Sequence, residues 1–139
     1  MRYLSFIFTV IYLLFAYLQL NDPDPILWVT LYLLPAFISF RAFLNQYSSE
    51  TLILLTVLYS AYAINSFLQM TAFEGFSTEG QGLAMKTSNQ ELLREGSGLL
   101  ICIVSFLTYL FYFSFKMRYS LIRSKEEITF SEDAEMQEI

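Results

Sequence analysis

The stretch LQLNDPDPILW, residues 18–28, places two aspartates and two prolines inside an otherwise apolar amino-terminal half. Uncharged runs flank it at 3–21 and 25–40, and two more follow at 51–73 and 96–115. An apolar helix needs about 20 residues to cross the hydrocarbon core of a bilayer. Three of the runs reach that length. The second does so once Arg41 lays its stem along the helix, carries its charge to the interface and lets Ala42, Phe43 and Leu44 join the span. The acidic knot then becomes the turn of a tight helical hairpin. The pattern predicts an all-α fold, an integral membrane four-helix bundle with helices near 3–20, 26–44, 51–70 and 89–120 in one domain over 1–123.

Composition agrees with that reading. The 139 residues are 55% hydrophobic and 18% aromatic, too apolar for an ordinary soluble domain of this length. The first run is read as a retained helix, because it exceeds a usual signal-peptide core and lacks a small-x-small cleavage site. The net charge of −5 arises in the tail SKEEITFSEDAEMQEI, residues 124–139, which carries six acids and one lysine. So little apolar surface offsets little ordering entropy, and the tail is expected to be disordered. A lone cysteine, Cys102, forms no internal disulfide and reads as a small packing residue in mid-helix. The chain has no histidine, which excludes histidine-ligated haem, histidine zinc sites and a serine–histidine triad within it. Phosphate-binding and dinucleotide-binding loops are missing too, and no basic face with interleaved aromatics points to nucleic acid. The expected partner is the lipid bilayer, with no cofactor.

Basic residues fix the threading. Arg2, Arg41, Lys116, Arg118, Arg123 and Lys125 fall at the amino end, the second connection and the tail, whereas the first connection has none and the third only Lys86 and Arg94. Both termini are therefore expected in the cytoplasm, with the acidic knot and segment 71–95 outside. Asp24 can cap the second helix with Pro25 at its first position, or Asp22 with Pro23 can do so two residues earlier. Trp28 then falls at the membrane interface. Ser88 and Glu91 form a capping box for the last helix, while 71–88, with three glycines, reads as a loop able to rest Phe73, Phe76 and Leu83 on the bilayer surface.

Lipid supplies no hydrophobic drive for helix association, so contact faces collect small and polar residues. The last helix shows such a row in Glu91, Glu95, Gly98, Cys102, Ser105, Tyr109 and Tyr112. The first has Ser5, Thr9, Tyr12, Ala16 and Gln19, and the third has Thr56, Ser60, Ala63 and Ser66 with Asn65 and Gln69 nearby. Pro35 should bend the second helix around its neighbours or open a cavity beside it. No charge lies at mid-membrane depth, which favours packing over a substrate path.

The stretch QLNDPDPILWVTLYLLPA, residues 19–36, resembles the signature of the transmembrane protein 220 family, and REGSGL, residues 94–99, matches a second motif of it. The resemblance covers most of 1–115 and maps onto Asn21, Asp22, Pro23, Asp24 and Trp28, and onto Arg94, Glu95, Ser97 and Gly98. It implies a small four-helix integral membrane protein of a kind found in bacteria and animals, and no particular chemistry.

Threading brings both motifs to the outer face, so Asn21, Asp22, Asp24, Glu91, Arg94 and Glu95 are expected to meet there. Two forms of that contact stay open. Arg94 can pair with Asp22 or Asp24 while the other carboxylates cap helices, or Asp22, Asp24 and Glu95 with the Asn21 carbonyl can hold a hard cation such as calcium. Three functions follow: an accessory subunit with protein partners in a membrane complex, an ion- or small-ligand-binding protein using the outer acids, and a membrane enzyme acting on lipid-linked substrates through carboxylates. A bacterial inner membrane is the expected location. The topology has a direct test. Cysteines introduced as Glu79→Cys and Phe130→Cys should react with impermeant reagents from opposite sides of the membrane, and reaction of both from outside would refute the threading.

Overall fold

The computed structural model describes residues 1–21, 24–76 and 87–137. They form four helices: α1, Arg2–Leu18; α2, Pro25–Phe43; α3, Ser49–Gln69; and α4, Ser88–Gln137. A 3-10 turn, Gln19–Asn21, follows α1. By length and composition α2, α3 and α4 are each able to cross a membrane. The first helix has 17 residues, and with its 3-10 turn it reaches about 30 Å. At 1.5 Å per residue the 50 residues of α4 extend about 75 Å, more than twice the hydrocarbon thickness.

Two antiparallel hairpins make the bundle, with α1 packed chiefly on α2 and α3 on α4. Between α2 and α3 the chain reverses in five residues. The Gln46 N–H bonds the Arg41 carbonyl at 2.9 Å and the Asn45 N–H bonds the Ala42 carbonyl at 3.0 Å, the pair of bonds that closes a helix end. Asn45 provides the left-handed residue this closure needs, at φ 60°. Ser48 then caps α3 by accepting from the Thr51 N–H.

Hydroxyl groups tie one hairpin to the other. In α2, Pro35 is fully enclosed and has no N–H to offer the carbonyl four residues back. That carbonyl, on Leu31, instead accepts the Tyr59 hydroxyl of α3 at 2.7 Å. Tyr109 of α4 donates to Ser39 of α2 at 2.9 Å, and Tyr12 of α1 donates to Ser105 of α4 at 2.7 Å. Aromatic edges fill the space around them: Tyr59 against Phe106 at 5.3 Å, and Phe15 against Tyr32 at 5.4 Å between centroids.

Glycines set the closest helix approaches. A Cβ at Gly98 would overlap the Tyr32 hydroxyl of α2, and one at Gly96 would lie 2.8 Å from the Phe67 ring of α3. Leu99, Cys102, Ser105, Phe106 and Tyr109 continue this enclosed face of α4. On α3 the buried face is Leu52, Leu55, Tyr59, Ala63 and Ser66. It shares Ala63 and Ser66 with the small-residue row read in the sequence, while Thr56 and Ser60 of that row are half-buried and Asn65 and Gln69 are exposed. Thr56 returns its hydroxyl to the Leu52 carbonyl of its own helix, so its polarity is satisfied without a neighbour.

Two further differences from the sequence reading have local causes. Trp28 is enclosed between helices, stacked on Tyr62 at 5.8 Å, because it shares a helical face with Tyr32, Pro35 and Ser39. Its ring, in the first turn of α2, is turned towards α3 and not outward. Helix α4 also continues through Gln137, past the end near Ser120 expected from the sequence. Extending an existing helix avoids the cost of nucleating one, and the Arg123–Glu127 pair at 3.2 Å supports the extension.

The proline–tyrosine contact predicts a double-mutant cycle. Tyr59→Phe leaves the Leu31 carbonyl without its donor and should cost about 1–2 kcal/mol in detergent unfolding. Pro35→Ala restores a backbone N–H to that carbonyl. In its presence the cost of Tyr59→Phe should fall by at least half, and strict additivity of the two changes would show that they do not share the acceptor.

Candidate functional site

Four regions carry polar or charged groups in contact: the interior hydroxyls, the end of the bundle where α2 and α4 begin, the junction leading into α4, and the opposite end of the bundle.

In the interior, Tyr12 donates to Ser105, and Ser105 donates in turn to the Cys102 carbonyl at 2.8 Å. The Tyr12 hydroxyl also lies 3.1 Å from the Ile101 carbonyl. Cys102 is a buried free thiol beside this group. Hydroxyls, one thiol and backbone carbonyls make up these contacts, with no charged side chain among the buried residues described.

At the end where α2 begins, Asp24 occupies the cap position with Pro25 after it, but its carboxylate makes no capping hydrogen bond. Its backbone, at φ −115° and ψ 61°, is away from the extended geometry that aims a cap side chain at the first turn. The exposed Asp24 and the half-buried Glu95 both act electrostatically on the Tyr62 hydroxyl of α3, so the start of α2 and the second turn of α4 share one neighbour. Glu91 and Arg94, also half-buried, lie on the same two turns of α4. Asn21 closes the 3-10 turn. Asp22 and Pro23 lie outside the described residues, and so does any pairing of Arg94 with Asp22. Among the described residues no three His, Cys, Asp or Glu side chains gather as a metal site. A cation held there would depend on Asp22.

The junction into α4 is a constellation with no fixed sequence spacing. Thr87, not Ser88, caps the helix: its hydroxyl oxygen accepts the Gln90 N–H at 3.3 Å and its carbonyl accepts the Glu91 N–H. The Thr87 hydroxyl donates to one oxygen of Glu74, and Asn89 Nδ2 donates to the other at 2.9 Å. Asn89 Oδ1 accepts the Thr71 N–H at 3.0 Å. Thr71 and Glu74 are thereby latched to the first turn of α4. Phe73 and Phe76 are exposed beside this latch, and Leu83 lies outside the described residues. The Thr87 and Asn89 donors hold the Glu74 carboxyl below the usual carboxylate range.

At the opposite end, Ile38, Arg41, Gln46, Ser48, Thr51 and Tyr109 line a shallow concavity. Arg2 stands over the Phe43 ring at 5.2 Å on the same end, and Tyr47 packs on Phe113 at 5.6 Å. Burial against these rings, together with the neighbouring Tyr112, raises the pKa of the Tyr47 phenol. The Arg41 concavity and the Glu74 latch both escape sequence reading. Each is assembled from residues of ordinary type, and only the fold brings them together.

The latch predicts a titration. Because the pKa of Glu74 is depressed in the folded state, its contribution is present above the ordinary carboxylate range and is lost as pH falls through the folded value. NMR titration should place the Glu74 carboxyl below the other exposed glutamates, and Asn89→Ala should move it back towards them. Equal values in both proteins would show that the latch does not form.

Among known protein families, the one described as "Transmembrane family 220, helix" matches residues 11–111. No curated protein and no solved structure matches the chain.

Proposed function

The chain belongs to transmembrane family 220, and from that premise we propose that it works as an accessory subunit of a membrane complex, offering the end of α4 to a protein partner. The observation that carries this reading is the exposure of α4 beyond the bundle. All described side chains from Ser114 to Phe130 are exposed, Phe115, Tyr119, Ile122 and Phe130 among them. Beyond Lys116 the helix continues for about 30 Å. A single helix this long and exposed is marginal in water, and packing of an apolar face on a partner is the usual source of its stability.

The interior supports the same reading. Its hydroxyls are spent on holding α1 to α4, α2 to α3 and α2 to α4, and its glycines on close approach. On this reading Asp24, Glu91, Arg94 and Glu95 close the outer end of the bundle and hold no substrate. Both termini face the cytoplasm, where the α4 extension meets its partner.

Purification in mild detergent tests the proposal. The full chain should retain a stoichiometric partner, and a variant lacking 126–139 should lose it. The variant's own thermal unfolding should stay within about 2 °C, because the described side chains of the deleted part are exposed. A chain that purifies alone, or a partner kept equally by the shortened variant, overturns the role assigned to the extension.

A further inference from the structure

The concavity at the Arg41 end has features that the accessory-subunit reading does not use. It is a small open recess where α2 ends, α3 begins and α4 passes behind, so a ligand would sit at its mouth and not inside it. Arg41 is half-buried there, and its guanidinium makes no ion pair or hydrogen bond with any described residue. An arginine donates five N–H groups in a rigid fork, so an unpaired one held against a cavity wall is a group awaiting an oxyanion. Ser48 adds a second donor. Its oxygen accepts from the Thr51 N–H and from the Thr51 hydroxyl at 2.9 Å, which leaves its own O–H to point elsewhere. The first N–H groups of α3, at Ser49 and Glu50, have no partner four residues back within the helix and face the same end.

Depth in the membrane selects the kind of oxyanion. Both α2 and α3 are long enough to cross a bilayer, and both terminate at this concavity, which places it at headgroup level. Its wall is mixed, with Ile38, Ala42 and Leu52 beside Gln46, Ser48 and Thr51, as suits a group that is polar at one side and greasy at the other. The surroundings are cationic: Arg2 lies at the same end, and Lys116 and Arg118 follow just after the Tyr47–Phe113 contact. Glu50, in the first turn of α3, is exposed and makes no ion pair among the described residues. Positive surroundings favour a lipid whose phosphate charge is not balanced by its own ammonium group.

We propose that this concavity is a binding site for the headgroup phosphate of an anionic phospholipid, with Arg41 as its bidentate anchor and the Ser48 hydroxyl and the start of α3 as further donors. The site fixes the lipid at the α2–α3 connection, on the side of the bundle opposite the outer acids. It is independent of the partner assigned to α4.

Thermal unfolding in a neutral detergent tests it, with dihexanoyl phosphatidylglycerol, dihexanoyl phosphatidylcholine and inorganic phosphate as probes. Phosphatidylglycerol should raise the Tm saturably, phosphatidylcholine should do so less, and inorganic phosphate at equal concentration should have no effect. Arg41→Gln should weaken the phosphatidylglycerol response about tenfold in half-saturating concentration, the scale of one charge-assisted bond, while Lys116→Gln leaves it within about twofold. Arg41→Lys keeps the charge without the fork and should fall between wild type and Arg41→Gln. It decides the matter if Arg41→Gln does not fold. An unchanged response in Arg41→Lys together with Arg41→Gln, or in Arg41→Lys alone where Arg41→Gln does not fold, overturns the proposal. So does equal loss in Lys116→Gln, which would mean general attraction to a basic surface. An equal effect of inorganic phosphate would mean an anion site without lipid, and no response to any probe would mean no site.

Discussion

The hydroxyl of Tyr59 on the carbonyl of Leu31 is the contact on which the arrangement of the two hairpins depends. In water an exposed carbonyl can bond solvent, but in hydrocarbon it must find a donor within the protein or cost several kcal/mol. Pro35 creates such a carbonyl at mid-helix, facing α3, and thereby prescribes what α3 must bring to that level. Tyrosine is well suited, because its ring fills apolar space while its hydroxyl reaches about 6.5 Å from the backbone. Tyr109 on Ser39 and Tyr12 on Ser105 repeat the device between other helices. Apolar packing alone would leave the hairpins free to slide, since lipid tails pack on leucine as well as leucine does. Three directional bonds between different pairs of helices remove that freedom.

Close approach is the second half of the same constraint. A tyrosine can bridge helices only if their axes are near, and Gly98 admits α2 at the level of Tyr32. Gly96 does the same for α3 at Phe67, two residues earlier on the helix, where a 100° step per residue faces a different neighbour. The two glycines therefore act on different helices. Neither needs an unusual backbone conformation, and what each provides is space.

Much of this was legible in the sequence, and the parts that were not share a cause. Run lengths and the acidic knot are local signals, and they located four helices and the first hairpin. The row on α1 coincides with its buried face at Ser5, Tyr12 and Ala16, and that on α4 does so at Gly98, Cys102, Ser105 and Tyr109. On α3 the same rule found the buried Ala63 and Ser66 but also took in the half-buried Thr56 and Ser60, because small polar residues are ambiguous: a threonine can bond across a helix gap or fold back on its own carbonyl, as Thr56 does. The buried side of α3 is marked instead by Tyr59, whose role follows from Pro35 on another helix. The enclosure of Trp28 was hidden for a like reason, since an indole near a helix end suits the lipid interface and a helix seam equally. The cap on α4 shifted by one residue, to Thr87, whose hydroxyl donates to Glu74 while Asn89 donates to the other oxygen of the same carboxylate. No spacing rule connects residues 74, 87 and 89.

The direction of the hydrogen bonds also bears on what the interior can do. A proton relay needs each group to accept a proton on one side and release one on the other. Tyr12 gives its hydrogen to Ser105, and Ser105 gives its own to the Cys102 carbonyl, which has none to pass on. Tyr59 ends at once on the Leu31 carbonyl. These two chains run one or two steps and stop at backbone carbonyls, whereas Tyr109 bonds the Ser39 hydroxyl of α2. Polar groups arranged in that way hold helices in register, and moving a proton along the membrane normal would require them to be aligned end to end. Ionisable side chains, which such transport normally uses, are met at the two ends of the bundle, at Glu95 beside Tyr62 and at Arg41 beside Ser48. The physical division is then between a hydroxyl-bonded middle that fixes the shape and charged ends that are available to meet headgroups, loops and partners.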